Sequence, residues 1–197
     1  MSFRLGLTGS IGMGKSTTAG FFKKAGCAVW DADAAVHRLY AKGGEAVNPI
    51  RSVFPNAIIE EAVSRSALKE ELSKSSSGFA QLEKIVHPLV AKDRAAFLNG
   101  SAADILVFDI PLLFETGGHA QMDAIVCVSI DAAEQKQRVL KRNTMTQDQF
   151  EQILERQMPI KEKLQKSDYV VITDTLDHAE QQVHEIVHDI RENRLNA

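Results

Sequence analysis

Near the N-terminus, Gly9-Ser10-Ile11-Gly12-Met13-Gly14-Lys15-Ser16 follows the pattern G-x-x-x-x-G-K-[ST], directly after an apolar run and directly before a helical pattern. Gly9, Gly12 and Gly14 allow backbone conformations closed to other residues. Successive N–H groups, that of Met13 among them, can then point into one concavity, and the following helix N-terminus adds partial positive charge. A polyphosphate is the natural occupant. Lys15 is expected to reach the β- and γ-phosphates as a point charge, Ser16 to offer its hydroxyl to Mg²⁺, and Thr17 to donate to the α-phosphate.

The remaining motifs must separate switch, motor and kinase. The D-x-x-G and N-K-x-D signatures of GTPases are absent, as is the L-S-G-G-Q of transporter ATPases. Asp31-Ala32-Asp33 closes an apolar run and would bring carboxylates to the sheet edge where open α/β sheets bind ligands. Asp33 is the candidate to meet an acceptor hydroxyl, and Asp31 a supporting or metal-associated group; the plainer alternative is that Asp33 caps a helix over 34–42. Asp109 ends Ile105-Leu106-Val107-Phe108, either as a further Mg²⁺ candidate or as an ordinary strand-end acid. Arg138, Lys141 and Arg142 precede the polar segment Asn143-Thr144-Met145-Thr146 and a second helical pattern, the make-up of a lid that closes basic groups over phosphates. His184 and His188 stand four apart with no acidic or cysteine partner at ligand spacing and read as a solvated helix face. His87-Pro88 is expected to break the helix that contains it, as a kink or as a substrate contact.

The elements that must hold these groups follow from periodicity. Phe3–Thr8, Cys27–Trp30, Asp104–Phe108, Ala124–Ile130 and Tyr169–Thr173 read as buried strands. Helical patterns lie near Lys15–Ala25, Ala132–Asn143, Gln147–Gln157 and Leu176–Asn193. Such alternation requires crossover connections, so the class is α/β: a doubly wound, five-stranded parallel sheet covered on both faces. Between the second and third strands, Ala34–Lys42, Glu45–Val53, Arg65–Ser73 and Gln81–Leu98 read as helices, with Ser73–Gly78 as a loop joining two of them. One domain is expected, with a core of about 1–33, 101–135 and 158–197, a helical insertion at about 34–100 and a lid at about 136–157.

Composition narrows the partners. The chain has 197 residues, 44% hydrophobic and 25% charged, enough for a sizeable core. Its 23 basic and 26 acidic residues give a formal charge of −3, which offers no global pull toward nucleic acid or anionic lipid, so an anionic ligand needs a local site. Cys27 and Cys127 sit inside apolar runs and read as reduced, buried thiols, pointing to the cytoplasm. No run approaches the ~18 apolar residues of a membrane span. A monomer or small homo-oligomer is expected.

Leu7-Thr8-Gly9-Ser10-Ile11-Gly12-Met13-Gly14-Lys15-Ser16-Thr17, Asp31-Ala32-Asp33, His87-Pro88, Pro111-Leu112-Leu113-Phe114-Glu115 and the Arg138/Arg142 pair together resemble the dephospho-CoA kinase family over nearly the whole chain. The resemblance implies a P-loop kinase core with a CoA-binding helical insertion and a lid. It also implies transfer of the γ-phosphoryl of ATP to the ribose 3′-hydroxyl of dephospho-CoA, the last step of coenzyme A synthesis. By the same resemblance Asp33 is the base or hydroxyl-orienting carboxylate, Arg142 the lid arginine beside Arg138, and His87, Pro111, Leu112 and Glu115 surround the acceptor. The chain departs from the family pattern at Ser10 and Met13, at Pro55 and Ser64, and at Val171-Ile172-Thr173, where Ile-Asp-Asn is usual. The rival readings are another small-molecule kinase, such as one for nucleoside monophosphates, and a nucleotide-dependent switch.

Overall fold

The structure is a computed structural model that describes residues 2–195. In chain order its elements are β1 (Phe3–Gly9), α1 (Lys15–Lys24), β2 (Ala28–Asp31), α2 (Ala32–Tyr40), α3 (Val47–Val53), β3 (Ile58–Ile59), β4 (Ala62–Val63), α4 (Arg65–Ser73) and α5 (Gly78–Gly100). Then come β5 (Ile105–Asp109), β6 (Ala124–Ser129), α6 (Ala132–Lys141), α7 (Gln147–Arg156), α8 (Ile160–Gln165), β7 (Tyr169–Ile172) and α9 (Leu176–Asp189), the last running on into a π turn at Ile190–Arg194.

Five strands form one sheet in the order β2-β5-β1-β6-β7. β1 pairs in parallel with β5, placing Leu7 beside Asp109, and with β6, placing Gly9 beside Val128; β6 pairs in parallel with β7. Both faces of β1 are buried, which is why its run is apolar throughout. The chain leaves β1 toward one edge and later crosses it to reach β6, so the strand order reverses at β1. A crevice must open at that strand's carboxyl end, and the glycine-rich segment lies there.

Contacts divide the molecule into two compact units, Met1–Trp30 with Ser101–Ala197, and Asp31–Gly100. In the first, alternate residues of β1, β5 and β6 (Leu5, Leu7, Val107, Val126, Val128) share a core with Phe22 of α1 and Val183 and Ile186 of α9. Trp30 packs on Phe108 with ring centroids 6.1 Å apart. In the second unit, Leu39, Val47, Ile50, Phe54, Leu68 and Leu72 make a separate core, and Arg38 of α2 pairs with Asp93 of α5 at 2.6 Å.

Several expectations need correcting. The helix expected at 34–42 begins at Ala32, and its cap is Asp31, whose carboxylate accepts the Ala34 N–H at 2.9 Å; Asp33 lies in the first turn instead. Pro88 does not break its helix, for α5 runs unbroken from Gly78 to Gly100. Leu82, Ile85 and Val86 before the proline and Leu89 and Val90 after it join one core, which keeps the two halves in line, and Pro88 itself is exposed, where water can serve the carbonyl its missing N–H releases. The hairpin β3–β4 and the short α8 carry no periodic signal long enough to read. The C-terminal helix reaches the expected Asn193, but its last turn, from Ile190 to Arg194, is π rather than α.

Candidate active site

The glycine-rich segment folds as a tight loop, with the Met13 N–H donating to the Ser10 carbonyl at 3.2 Å. Gly12 and Gly14 take φ of +78° and +85°, the left-handed region in which a side chain is strained. Gly12 also has no room, since a Cβ there would come within 2.4 Å of the Val139 Cγ2 atom. Gly14 starts α1 without a side-chain cap, no acidic residue lies in the first turn, and the Thr18 N–H makes the first backbone bond, to the Gly14 carbonyl at 3.1 Å. The Lys15, Ser16 and Thr17 amides therefore open the helix with no intrahelical acceptor, an arrangement suited to an anion. Met13 contributes backbone only, because its side chain is buried in the core.

The loop is tied from outside by two glutamines that no motif singled out and by Thr173, noted above only as a departure from the family pattern. Gln135 Nε2 donates to the Ile11 carbonyl at 2.7 Å, Gln157 Oε1 accepts the Ile11 N–H at 3.2 Å, and the Thr173 hydroxyl donates to the Met13 carbonyl at 3.0 Å. The two glutamines belong to the basic helical segment after β6, where amphipathic periodicity marks them only as polar.

Lys15 forms a salt bridge with Asp109, whose carboxylate is 3% exposed. A carboxylate removed from water requires a cation or several donors, and Lys15 supplies the cation. The pairing follows from register, because Asp109 is level with Leu7, two residues before the loop begins.

On the other side of the loop a cleft of about 130 Å³ is lined by Gly14, Thr17, Arg138, Thr173, Asp174 and Thr175, with further residues from α1 and α9. Arg138 is fixed there by Glu134 at 2.6 Å and by the Thr173 carbonyl at 2.7 Å. Arg142 caps the C-terminus of α6 and is exposed.

The segment after β5 is anchored by a fully buried lysine. Lys163 Nζ lies 2.9 Å from Glu115 and 3.3 Å from the Pro111 carbonyl, which also accepts the Thr8 hydroxyl at 3.1 Å. Burial pushes the Glu115 carboxyl up, but hydrogen bonds from Lys163 and from the Met158 N–H (2.8 Å) outweigh it and hold the group below the usual range. Pro111 and Glu115 thus hold this segment in place, while the apolar Leu112 is 41% exposed. The lysine's role was not legible, because its partner is 48 positions upstream and isolated lysines on helices are usually solvated.

In the insertion unit, Asp31 is occupied as a helix cap, Asp33 is exposed in the first turn of α2, and His87 is exposed on α5 before Pro88. The structure gathers Gly9, Gly12, Met13, Gly14, Lys15, Ser16, Thr17, Asp109 and Arg138 around one loop; Asp31, Asp33 and His87 belong to the other unit. Among the described residues no helix is long and apolar enough to cross a membrane, and no group of three or more His, Cys, Asp or Glu side chains converges as a metal site.

Comparison with known proteins agrees with this geometry. A sequence model described as dephospho-CoA kinase matches residues 3–178. The dephospho-CoA kinase of Ruegeria pomeroyi is 61% identical over 197 residues, covering all of both chains. The crystal structure of TT1252 from Thermus thermophilus superposes with a TM-score of 0.84 at 27% identity, covering 95% of this chain and 96% of that one. Dephospho-CoA kinase from Campylobacter jejuni, at 22% identity, shares the fold with a TM-score of 0.69, covering 96% of this chain and 98% of its own. A phosphate loop set at the reversal point of a five-stranded sheet, in a chain whose relatives match it from end to end, admits one assignment: this protein belongs to the dephospho-CoA kinase family.

Proposed function

We propose that the chain transfers the γ-phosphoryl group of ATP to the ribose 3′-hydroxyl of dephospho-CoA, yielding coenzyme A and ADP. The observation that carries the reading is the loop at Gly9–Ser16, with its uncapped helix start and Lys15 set on Asp109, in a member of this family.

Phosphoryl transfer asks for positioning and charge neutralisation more than for covalent chemistry. Lys15 exchanges its contact with Asp109 for the β- and γ-phosphate oxygens, and the amides of Gly14 to Thr17 take the bridging region. The cleft beside Arg138 and Thr173 receives the nucleoside end, and Arg142, free at the end of α6, supplies further positive charge. Asp33 orients the acceptor hydroxyl and accepts its proton, while His87 and the Pro111–Glu115 segment bind the acceptor.

An oxygen donor set of the Ser16 hydroxyl with Asp109 suits Mg²⁺, which takes few protein ligands and keeps water and phosphate oxygens for the rest, whereas Asp31 is engaged as a helix cap. When bound, the ion neutralises charge on the β- and γ-phosphates. The enzyme so described is cytoplasmic, in keeping with Cys27 and Cys127 being buried free thiols.

The test is ADP release with dephospho-CoA set beside AMP, CMP and adenosine as acceptors. Turnover confined to dephospho-CoA is expected. Preference for a nucleoside monophosphate would assign a different acceptor, and slow hydrolysis indifferent to every acceptor would revive a nucleotide switch.

A further inference from the structure

A peptide whose second residue is glycine turns over easily, because glycine accepts either sign of φ, and the phosphate loop contains one between Met13 and Gly14. In a trans peptide the C=O and N–H point to opposite sides, so the orientation of the Met13 carbonyl decides that of the Gly14 amide. Turned over, the peptide would aim a carbonyl oxygen where its N–H should meet an anion, replacing attraction by repulsion. Something must hold it.

Thr173 lies just past the end of β7, is 7% exposed, and is anchored by its own N–H on the Ser129 carbonyl at 3.0 Å. Its hydroxyl donates to the Met13 carbonyl at 3.0 Å and accepts from Arg138 Nη1 at 3.4 Å. The approach is close, since a Cβ on Gly14 would meet the Thr173 Cβ at 3.1 Å. The Ile11–Gly12 peptide, earlier in the same loop, is held the same way, Gln135 grasping the Ile11 carbonyl at 2.7 Å and so turning the Gly12 N–H to the other side.

We propose that Thr173 is a positioning residue of the nucleotide site: its hydroxyl locks the Met13–Gly14 peptide with the Gly14 amide presented to the phosphate chain. It seats Arg138 beside the same nucleotide. The proposal rests on the reading that the Gly9–Ser16 loop holds the phosphates of ATP. A hydroxyl is required, so serine can serve and valine, of nearly equal size, cannot.

The experiment compares full-length wild type, Thr173→Val and Thr173→Ser by steady-state kinetics and by calorimetric binding of Mg-ADP, with circular dichroism to confirm folding. Thr173→Val is expected to raise the KM for ATP and the Kd for ADP about tenfold, the size of one hydrogen bond, with the KM for dephospho-CoA unchanged. Thr173→Ser should stay within about twofold of wild type, as the retained hydroxyl requires. If the valine variant does not fold, Thr173→Ala carries the same comparison. Equal ADP affinity in wild type and Thr173→Val, or a serine variant as weak as the valine one, would overturn the proposal. Failure of the wild type itself to bind ADP would instead overturn the nucleotide reading beneath it.

Discussion

The ammonium of Lys15 rests on the carboxylate of Asp109 at the carboxyl end of β5, the acid buried and the lysine half-buried. Each group answers a need of the other: the acid is kept out of water and needs a cation, and the lysine is held extended toward the loop it serves. Removing one partner of such a pair costs up to about 3–5 kcal/mol, whereas removing both charges can be neutral. Lys15→Ala should therefore lower stability and also reduce kcat by about 10²–10³-fold. The double variant Lys15→Ala/Asp109→Asn should regain stability in chemical denaturation without regaining activity. A single lysine variant as stable as wild type would show that the pair carries no burial cost.

The two acids of the 31–33 segment should separate cleanly. Asp33→Asn is expected to lower kcat by about 10²–10⁴-fold with ADP affinity nearly intact. Asp31→Ala should lose about 1 kcal/mol of stability with its cap. Turnover in Asp33→Asn equal to wild type would remove Asp33 from the chemistry.

The turn between β3 and β4 stores strain. Glu60 and Glu61 have φ of +50° and +64°, and the register pairs Ile59 with Ala62 across them, a two-residue turn that favours asparagine followed by glycine. Making that change, by Glu60→Asn together with Glu61→Gly, should stabilise the protein by about 1–2 kcal/mol. The substitution also removes the ion pair between Lys42 and Glu61, which is exposed and contributes little. An unchanged urea midpoint would contradict the strain.

Burial pushes the thiols of both Cys27 and Cys127 up to about 11, against 9.0 when free of the fold. Because the folded value lies above the unfolded one, their contribution to stability is complete below about pH 9 and is lost as the pH rises toward 11. Thermal midpoints should hold up to about pH 9 and then fall. At pH 8 a disulfide reagent should find no reactive thiol in the native protein and both after denaturation. Fast labelling of the native chain would refute this.

What could be read from the residues was local. The glycine spacing around Lys15 and the apolar runs of the five strands are signals carried within a few positions. The hairpin escaped because Glu60-Glu61 lacks the glycine or asparagine that marks such a turn. The Asp31 cap was misread by two positions because both aspartates suit a helix start. Gln135, Gln157 and Lys163 escaped for another reason: their partners lie 124, 146 and 48 positions away, and nothing in an amphipathic helix distinguishes an inward polar group from a solvated one.

Lys163, wholly enclosed between Glu115 and the Pro111 carbonyl, carries an amine that acylating reagents cannot reach while the chain is folded. Mass spectrometry after brief acetylation would find surface lysines such as Lys42 and Lys92 labelled at once and Lys163 blank, its mark rising only as molecules open. The protein thereby contains its own clock for unfolding, readable at one peptide without any added probe.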